Sequence, residues 1–311
     1  MEKVNQTTLG EFILLAFSDL GQIQHLLFYM LILIYIVCIG GNVAIILLIK
    51  AEPSLHIPMY FFIGTLSALE TMFVSCIIPK LLANLIAADM RISFIGCVFQ
   101  VFVSHTLGTA ECYLLAVMAF DRDLAINNPL RYLSIMTHEL SVNLAILPFI
   151  VGVVCVIIPT VLTSGLDFCG PNAINHFYCD LVGLQSLACS DHFIIQIFSS
   201  CMAFIAAVVP FIITIGFYIH IIRTIFFIHS SKGKVRAFST CSSHLSIVGV
   251  YYITAIVVYV IPKGNHYDRY LSLLYTVITP LLNPFIYSYR NKDVKNALLK
   301  LTRVKNGQAS F

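Results

Sequence analysis

Residues 26–49 read LLFYMLILIYIVCIGGNVAIILLI, a run of 24 residues without a charged side chain. An α-helix of about 20 residues rises about 30 Å, which is the thickness of the hydrocarbon core of a bilayer. The whole chain of 311 residues has the same character, since 59% are hydrophobic, 11% are charged and the mean hydropathy is +0.91. In soluble domains about a quarter of the residues are charged. The sequence therefore indicates a membrane protein.

Seven stretches are long and apolar enough to cross a bilayer, and they predict an all-α membrane protein, a seven-transmembrane helix bundle. The predicted spans are Leu26–Ile49, Met59–Ile78, Cys97–Phe120, Ser141–Leu162, Phe193–Ile222, Ala237–Ile261 and Leu271–Tyr289. The chain then divides into an N-terminal segment (1–25), a transmembrane domain (26–289) and a C-terminal tail (290–311). The N-terminal segment has no apolar core with a cleavage site, so the first span is expected to act as the targeting signal.

The positions of lysine and arginine predict the orientation, because short loops that carry these residues stay in the cytoplasm. Thirteen of the 18 lie on the side of the C-terminal tail and five on the side of the N-terminus. An extracellular N-terminus in a multi-pass plasma-membrane protein is therefore expected. Asn5 begins a glycosylation triplet on that side, which can equally be an unused surface tripeptide. The net charge of +3 reflects this bias and implies no nucleic-acid partner.

The loop between the fourth and fifth predicted spans contains Cys169, Cys179 and Cys189 and no lysine or arginine. Such a loop is typical of an oxidising, extracellular environment. Cys97 lies at the outer start of the third span, so four cysteines are available on this side and three pairings are possible. A zinc site from His176, Cys179 and Asp180 is an alternative use of this loop, but its spacing matches no strong ligand pattern.

Seven motifs in a fixed order resemble those of one family. They are GN at 41–42, LHIPMYFF at 55–62, MAFDRDLAINNPLRY at 118–132, FCGPN and HFYCD in the cysteine-containing loop, RAFSTCSSHL at 236–245 and PLLNPFIYSYRN at 280–291. The chain resembles the odorant (olfactory) receptors, tetrapod-type class, a branch of the rhodopsin-like G-protein-coupled receptors. The resemblance implies a volatile, largely apolar ligand, a stimulatory olfactory-type heterotrimeric G protein that raises cyclic AMP, and location in the cilia of olfactory sensory neurons. It also implies disulfides between Cys97 and Cys179 and between Cys169 and Cys189.

Asp121 and Arg122 form a charge pair at the cytoplasmic end of the third predicted span. A partly desolvated pair at this place can act as a switch, whereas the alternative is two snorkelling charges at a helix end. The resemblance favours the switch and implies that Arg122 is freed to contact the G protein. Asp123 and Asn127 depart from the family, which usually has tyrosine and cysteine there. Asp123 is expected to offer Arg122 a second carboxylate or, because consecutive helix residues are rotated by about 100°, to face lipid headgroups or solvent. The residues assigned to coupling are Asp121, Arg122, Tyr218, Arg236 and Tyr287.

The ligand site is predicted from helix phase together with the resemblance. Side chains of the third, fifth and sixth spans share the outer half of the bundle, and Gly108 leaves room beside them. Each of them alone is more often a packing residue than a pocket residue, but the resemblance implies that odorants bind between the third, fifth, sixth and seventh spans. The residues assigned to the ligand site are Ser104, His105, Gly108, Thr109, Met202, Ala206, Tyr252, Ile256 and Tyr259.

Glu70 and Glu111 are acids in the middle of predicted spans, where a bare carboxylate is costly. They are expected to be protonated, paired or bound to a cation, and a sodium ion occupies such a polar cluster in relatives. Asn42 and Asn283 add amide groups at a compatible depth. The family usually has aspartate at position 70. No other cofactor is expected.

The C-terminal tail contains apolar residues separated by lysines, which predicts an amphipathic helix on anionic membrane lipids. A transporter or channel is the main alternative to a receptor, but the inverted repeats and broken helices of transporters are not found. A retinal receptor needs a lysine in the last span, and Leu271–Tyr289 has none. Enzyme motifs such as a phosphate loop, a nucleophile elbow or HExxH are absent, so no enzyme activity is expected.

Overall fold

The computed structural model describes residues 10–86, 90–169, 172–260 and 268–307, with side chains described except at 18, 232, 235–240, 243, 256–260, 268, 289, 290, 292 and 301–307. Long helices dominate the described chain. They and the short helices between them are α1 (Ile23–Ala51), α2 (Pro58–Ile86), α3 (Phe94–Asn127), α4 (Tyr132–Ile135), α5 (His138–Ser164), α6 (Leu181–Gln185), α7 (Phe193–Phe227), α8 (Ser231–Val260), α9 (Asp268–Arg290) and α10 (Lys292–Gly307).

The predicted all-α fold is confirmed. Six of the described helices are long and apolar enough to cross a membrane, and α8 contributes the shorter apolar stretch His244–Ala255 among its described side chains. Each predicted span lies inside one long helix, apart from Ile261, which is outside the described residues. The observed helices extend beyond the predicted spans by up to eight residues at an end, because a helix does not stop where its apolar part ends.

Helix α3 occupies the centre of the bundle and packs against α2, α5, α7 and α8, while α1 packs against α2 and α9. Helices α3 and α5 approach each other closely, since a Cβ on Gly152 would lie 2.5 Å from the carbonyl oxygen of Thr106. Large apolar side chains such as Leu33, Ile212 and Phe204 are exposed on the outer faces of their helices. In a membrane protein such a surface faces the lipid chains.

One end of the bundle, here called the loop end, carries a small sheet that the sequence analysis did not predict. Strand β1 (Glu11–Leu14) lies between β2 (Arg91–Ser93), which is antiparallel to it, and β3 (Ala173–Ile174), which is parallel. Phe12 and Leu14 are fully buried, whereas Glu11 and Ile13 point outward. The N-terminal segment is therefore part of the fold from residue 11 onward.

Two cysteine pairs stand at disulfide distance at the loop end, and they are the pairs that the family resemblance implies. The Cα atoms of Cys97 and Cys179 are 5.4 Å apart, and those of Cys169 and Cys189 are 5.8 Å apart. Cys97 and Cys179 are buried in one cluster with Phe12 and Leu14. The first pair thus attaches the loop between α5 and α7 to the start of α3. Because Cys179 is in a disulfide, it cannot serve as a zinc ligand at the same time.

We expect mass mapping of unreduced peptides to find Cys97 linked to Cys179. Cys97→Ser should strongly reduce cell-surface expression, because loss of a native disulfide typically costs about 2–5 kcal/mol of folding free energy. Cys201→Ser is the matched control, since Cys201 is a free cysteine exposed on α7. Recovery of both Cys97 and Cys179 as free thiols from correctly folded protein would contradict this pairing.

The opposite end, here called the Arg122 end, is where the C-terminal helix α10 lies against the bundle. Val294 and Ala297 are buried, and the Tyr60 hydroxyl donates hydrogen bonds to Asn291 Oδ1 (3.0 Å) and Asp293 Oδ2 (2.9 Å). Lys300 Nζ donates to Glu52 Oε2 at 3.0 Å, and this hydrogen bond lowers the pKa of the Glu52 carboxyl. Helix α10 therefore uses part of its apolar face for packing on the bundle.

Candidate functional site

A cavity of about 130 Å³ lies in the half of the bundle toward the loop end. Helices α3, α5, α7, α8 and α9 form its walls, and Tyr178 and Leu181 come from the loop above it. Seven of the nine residues predicted for the ligand site line this cavity. They are Ser104, His105, Gly108 and Thr109 on α3, Met202 and Ala206 on α7, and Tyr252 on α8. The side chains of the other two, Ile256 and Tyr259, lie outside the described residues.

The cavity wall is mainly apolar, and most of its polar groups are already paired. Ser104 Oγ donates to the carbonyl oxygen of Gln100 at 2.7 Å. His105 Nδ1 is 2.9 Å from the carbonyl oxygen of Val101, and its Nε2 is 3.3 Å from Asp180 Oδ1. His105 therefore ties α3 to the loop, because both ring nitrogens face oxygen atoms. A ligand oxygen would have to share these donors.

Tyr252 carries the polar group best placed for a ligand. Its ring contacts Phe211 with 4.6 Å between the ring centroids, and its hydroxyl is buried. Within the described part of the chain this hydroxyl makes no hydrogen bond of normal geometry, and the Cys112 thiol and Tyr113 are its polar neighbours. A buried polar group without a partner is destabilising, so a ligand oxygen here would satisfy it.

A tyrosine network in the cavity wall was not predicted from the sequence. Tyr251 Oη donates to the carbonyl oxygen of Gly108 at 3.0 Å, and it is 3.1 Å from the hydroxyl of Tyr275 and 3.2 Å from the sulfur of Cys112. This network joins α3, α8 and α9. Tyr251 precedes Tyr252 in sequence, so it fell outside the helical stripe that selected Tyr252.

At the Arg122 end, Asp121 and Arg122 form a buried ion pair within α3. Their side chains are 1% and 6% exposed, and Arg122 Nε donates to Asp121 Oδ2 at 3.0 Å. A second guanidinium nitrogen contacts the same carboxylate oxygen. The other oxygen of Asp121 accepts a hydrogen bond of 2.6 Å from the hydroxyl of Tyr132 in α4. Burial and the neighbouring Asp121 raise the pKa of the Tyr132 phenol, so that it remains a donor.

The other residues predicted for coupling have different positions. Tyr218 Oη on α7 is 2.6 Å from Nδ1 of His244 on α8, a histidine that the sequence analysis quoted in a motif but did not select. The Tyr287 hydroxyl on α9 is buried and makes no hydrogen bond to a described residue. Arg122, His244 and Tyr287 line one small cavity of about 20 Å³. The side chain of Arg236 lies outside the described residues, as does Asn5.

The expected pairing of Asp123 with Arg122 is wrong, and the alternative of a solvent-facing carboxylate is also wrong, because the Asp123 side chain is only 13% exposed. Asp123 Oδ1 is 2.7 Å from His220 Nδ1 on α7 and accepts a hydrogen bond of 2.7 Å from Asn127. Consecutive residues of an α-helix are rotated by about 100° around its axis. Asp121 and Arg122 interact on one side of α3, and Asp123 faces α7.

The buried acids lie in a polar cluster between α1, α2, α3 and α9. Asn283 Nδ2 donates to Glu70 Oε1, and Asn42 Nδ2 donates to the carbonyl oxygen of Pro280 at 3.2 Å. Four buried oxygen atoms of this cluster have no hydrogen-bond partner in the described part of the chain. They are Glu70 Oε2, Glu111 Oε1, Asn42 Oδ1 and Asn283 Oδ1.

Carboxylate and amide oxygens are the donors that hard cations prefer. The donor set of this cluster therefore fits a sodium ion, with Glu70 and Glu111 supplying its negative charge. The alternative, a protonated carboxyl that donates a hydrogen bond, fits the same residues. A zinc site gains no support, because no group of three or more His, Cys, Asp or Glu side chains in the described ranges could hold a metal ion.

Comparison with known proteins gives one consistent result. A family model described as olfactory receptor matches residues 31–305. Olfactory receptor 11L1 of Homo sapiens is 43% identical over 310 residues, which are 99% of this chain and 96% of that protein. Olfactory receptor 10A5 of Homo sapiens is 44% identical over 298 residues, 94% of each chain. Olfactory receptor 5G29 of Mus musculus is 42% identical over 310 residues, 98% of each chain.

Proposed function

Because the chain belongs to the olfactory receptor family, we propose that it binds a small, largely apolar volatile molecule inside the helix bundle and activates a stimulatory heterotrimeric G protein, which raises cyclic AMP. Membership of the family makes the protein a multi-pass membrane receptor of the odorant type and not an enzyme. The ligand chemistry, the G protein and the second messenger belong to the proposal.

The orientation is part of the same proposal. The loop end, with its sheet and its two disulfides, faces the extracellular side, and the Arg122 end faces the cytoplasm. The excess of lysine and arginine in the segments at the Arg122 end supports this arrangement. Asn5 is then available for glycosylation, α10 lies at the level of the anionic lipid headgroups, and the cilia of olfactory sensory neurons are the proposed location.

The observation that carries the proposal is that one helix, α3, contributes both to the cavity and to the buried ion pair of Asp121 and Arg122. Gly108 and Thr109 on α3 line the cavity, and Asp121 and Arg122 are three to four turns farther along the same helix. A rigid helix in contact with the ligand at one end and with a buried ion pair at the other can transmit a change in packing between them. A receptor needs two such sites.

A cyclic AMP assay in cells against a panel of volatile compounds tests the proposed function. A concentration-dependent signal that requires the stimulatory G protein is expected. Electrogenic flux in cells that lack this G protein, without any cyclic AMP response, would instead indicate a transporter. Both readouts use the full chain and can be measured in the same cells at the same surface density.

We expect Tyr252→Phe to reduce the potency of an oxygen-containing agonist about tenfold, because removal of one hydrogen bond to a buried partner costs about 1–3 kcal/mol. Potency toward a hydrocarbon analogue of the same shape should not change. The control is Ile212→Ala, a substitution on the outer face of α7. Equal losses for the oxygenated and hydrocarbon ligands would show that the variant acts through packing.

Substitution of Thr109, Ile256 or Tyr259 by alanine tests whether the ligand binds at the level of these residues in the bundle. Each is expected to raise the half-maximal concentration of an agonist, because a ligand between α3 and α8 loses apolar contact area. Each Å² of buried apolar surface contributes about 25 cal/mol to the binding free energy. His105→Ala should have the same sign, because it also releases the loop at Asp180. If potency is unchanged for the whole set at matched surface expression, the ligand binds elsewhere.

A further inference from the structure

Four polar side chains connect α3 and α7 at the Arg122 end. Asp123 and Asn127 are four residues apart on α3, and His220 and Thr224 are four residues apart on α7, so each pair shares one helix face. His220 contacts Asp123, the Thr224 hydroxyl donates to Asn127 Oδ1, and Asn127 Nδ2 donates to Asp123 Oδ1. We refer to Asp123, Asn127, His220 and Thr224 as the polar clamp.

The polar clamp continues an apolar contact between the same two helices. Phe120 and Phe217 lie one turn before Asp123 and His220, and their ring centroids are 5.5 Å apart. Ala119, Tyr218, Ile221 and Cys241 form a buried cluster beside them. Helices α3 and α7 are therefore in contact over three successive turns. The first turn has an apolar contact, and the polar clamp supplies the contacts of the last two.

The polar clamp coexists with the buried ion pair of Asp121 and Arg122. Both are formed in the same arrangement of helices, and they use different faces of α3. Any arrangement in which the end of α7 separates from α3 loses at least the contacts from His220 to Asp123 and from Thr224 to Asn127. The polar clamp therefore stabilises the arrangement in which Arg122 is paired and buried.

From these contacts we infer that the polar clamp restrains coupling to the G protein, with Asp123 and His220 acting as positioning residues that hold α7 against α3 while Arg122 is paired. This inference rests on the proposed function. The His220 side chain is 60% exposed and that of Asp123 is 13% exposed. Solvent screens a pair of this kind, so its removal should change the ratio of resting to active receptor severalfold and not by orders of magnitude.

Single and double substitutions in the cyclic AMP assay test the inference. Asp123→Ala and His220→Ala should each raise agonist-independent signalling about three- to fivefold at matched surface density. The double variant should not exceed the effect of Asp123→Ala, because both substitutions remove the contact between His220 and Asp123, and Asp123→Ala also removes the hydrogen bond from Asn127. The exchanged pair, Asp123→His with His220→Asp, should restore low basal signalling. Ile219→Ala, on an exposed face of α7, is the control and should leave it unchanged.

A probe that does not depend on the G protein separates the two proposals. Phe227 is exposed at the end of α7, so Phe227→Cys in a Cys201→Ser background gives a site for an environment-sensitive fluorophore. Asp123→Ala should change the fluorescence of this label, and the exchanged pair should reverse the change. If the wild type responds to an agonist but the single variants have the same basal signalling and the same label fluorescence as the wild type, the inference fails. If fluorescence responds but no odorant raises cyclic AMP, the proposed function fails and the restraint on α7 stands.

Discussion

Replacing Asp121 by asparagine is expected to raise agonist-independent cyclic AMP about tenfold or more. Arg122 is buried, and within the described chain Asp121 supplies its only acidic partner. Removing one member of a buried ion pair leaves an uncompensated charge and typically costs about 3–5 kcal/mol. An arrangement in which Arg122 reaches water or a partner protein then becomes relatively more stable. A shift of about 1.4 kcal/mol toward it already gives the tenfold change.

The neighbouring residues provide graded comparisons for this prediction. Tyr132→Phe removes one hydrogen bond to Asp121 and should have the same sign with a smaller size, about threefold. Arg122→Ala should abolish agonist-driven signalling while leaving ligand binding intact. Breaking the ion pair also lowers the folding free energy and therefore the surface expression of the Asp121 variant, so each signal is divided by the surface density of the receptor. An Asp121→Asn receptor with wild-type basal activity at equal density would show that the ion pair restrains nothing.

Much of the helical fold could be predicted from the sequence because the membrane imposes a simple requirement. A spanning segment must satisfy its backbone hydrogen bonds internally and must be apolar for about 20 residues, whatever its neighbours are. Leu26–Ile49 meets both conditions on its own. The sheet at the loop end does not follow from such a rule. Residues 11–14 form a strand only because Arg91–Ser93 and Ala173–Ile174 are brought beside them by the bundle.

The candidate site shows the same division between local and long-range information. The pairing of Asp121 with Arg122 is local, and the motif predicted it. The partner of Asp123 comes from α7, 97 residues away, and the charge pattern around Arg122 contains no signal for His220. His244 and Tyr251 were missed for a related reason. Their roles depend on hydrogen bonds to Tyr218 and Gly108, which belong to other helices.

The buried acids lead to the second large expected effect. If Glu70 and Glu111 hold a sodium ion, purified receptor should unfold at a higher temperature in sodium chloride than in choline chloride of equal concentration. Sodium at about ten times its dissociation constant adds about 1.4 kcal/mol, which corresponds to about 2 °C for a chain of this size. The difference should saturate with sodium concentration and should disappear in Glu70→Gln and in Glu111→Gln. Glu139→Gln, a substitution of an acid at the start of α5 outside the cluster, should retain it.

The glutamine variants also decide between the sodium ion and a protonated carboxyl, because glutamine has the shape of the neutral acid. If the Glu70 carboxyl is protonated and hydrogen-bonded, Glu70→Gln keeps a neutral side chain with a donor and an acceptor, and its unfolding temperature should equal that of the wild type in both salts. If a cation is bound, Glu70→Gln removes its charge partner and leaves Glu111 as the remaining acid, so the unfolding temperature in sodium chloride should fall below that of the wild type. Unfolding temperatures that do not differ between sodium and choline in the wild type would exclude a stabilising sodium ion. The four unpartnered oxygens would then require protons or buried water, the remaining ways to satisfy polar groups at this depth.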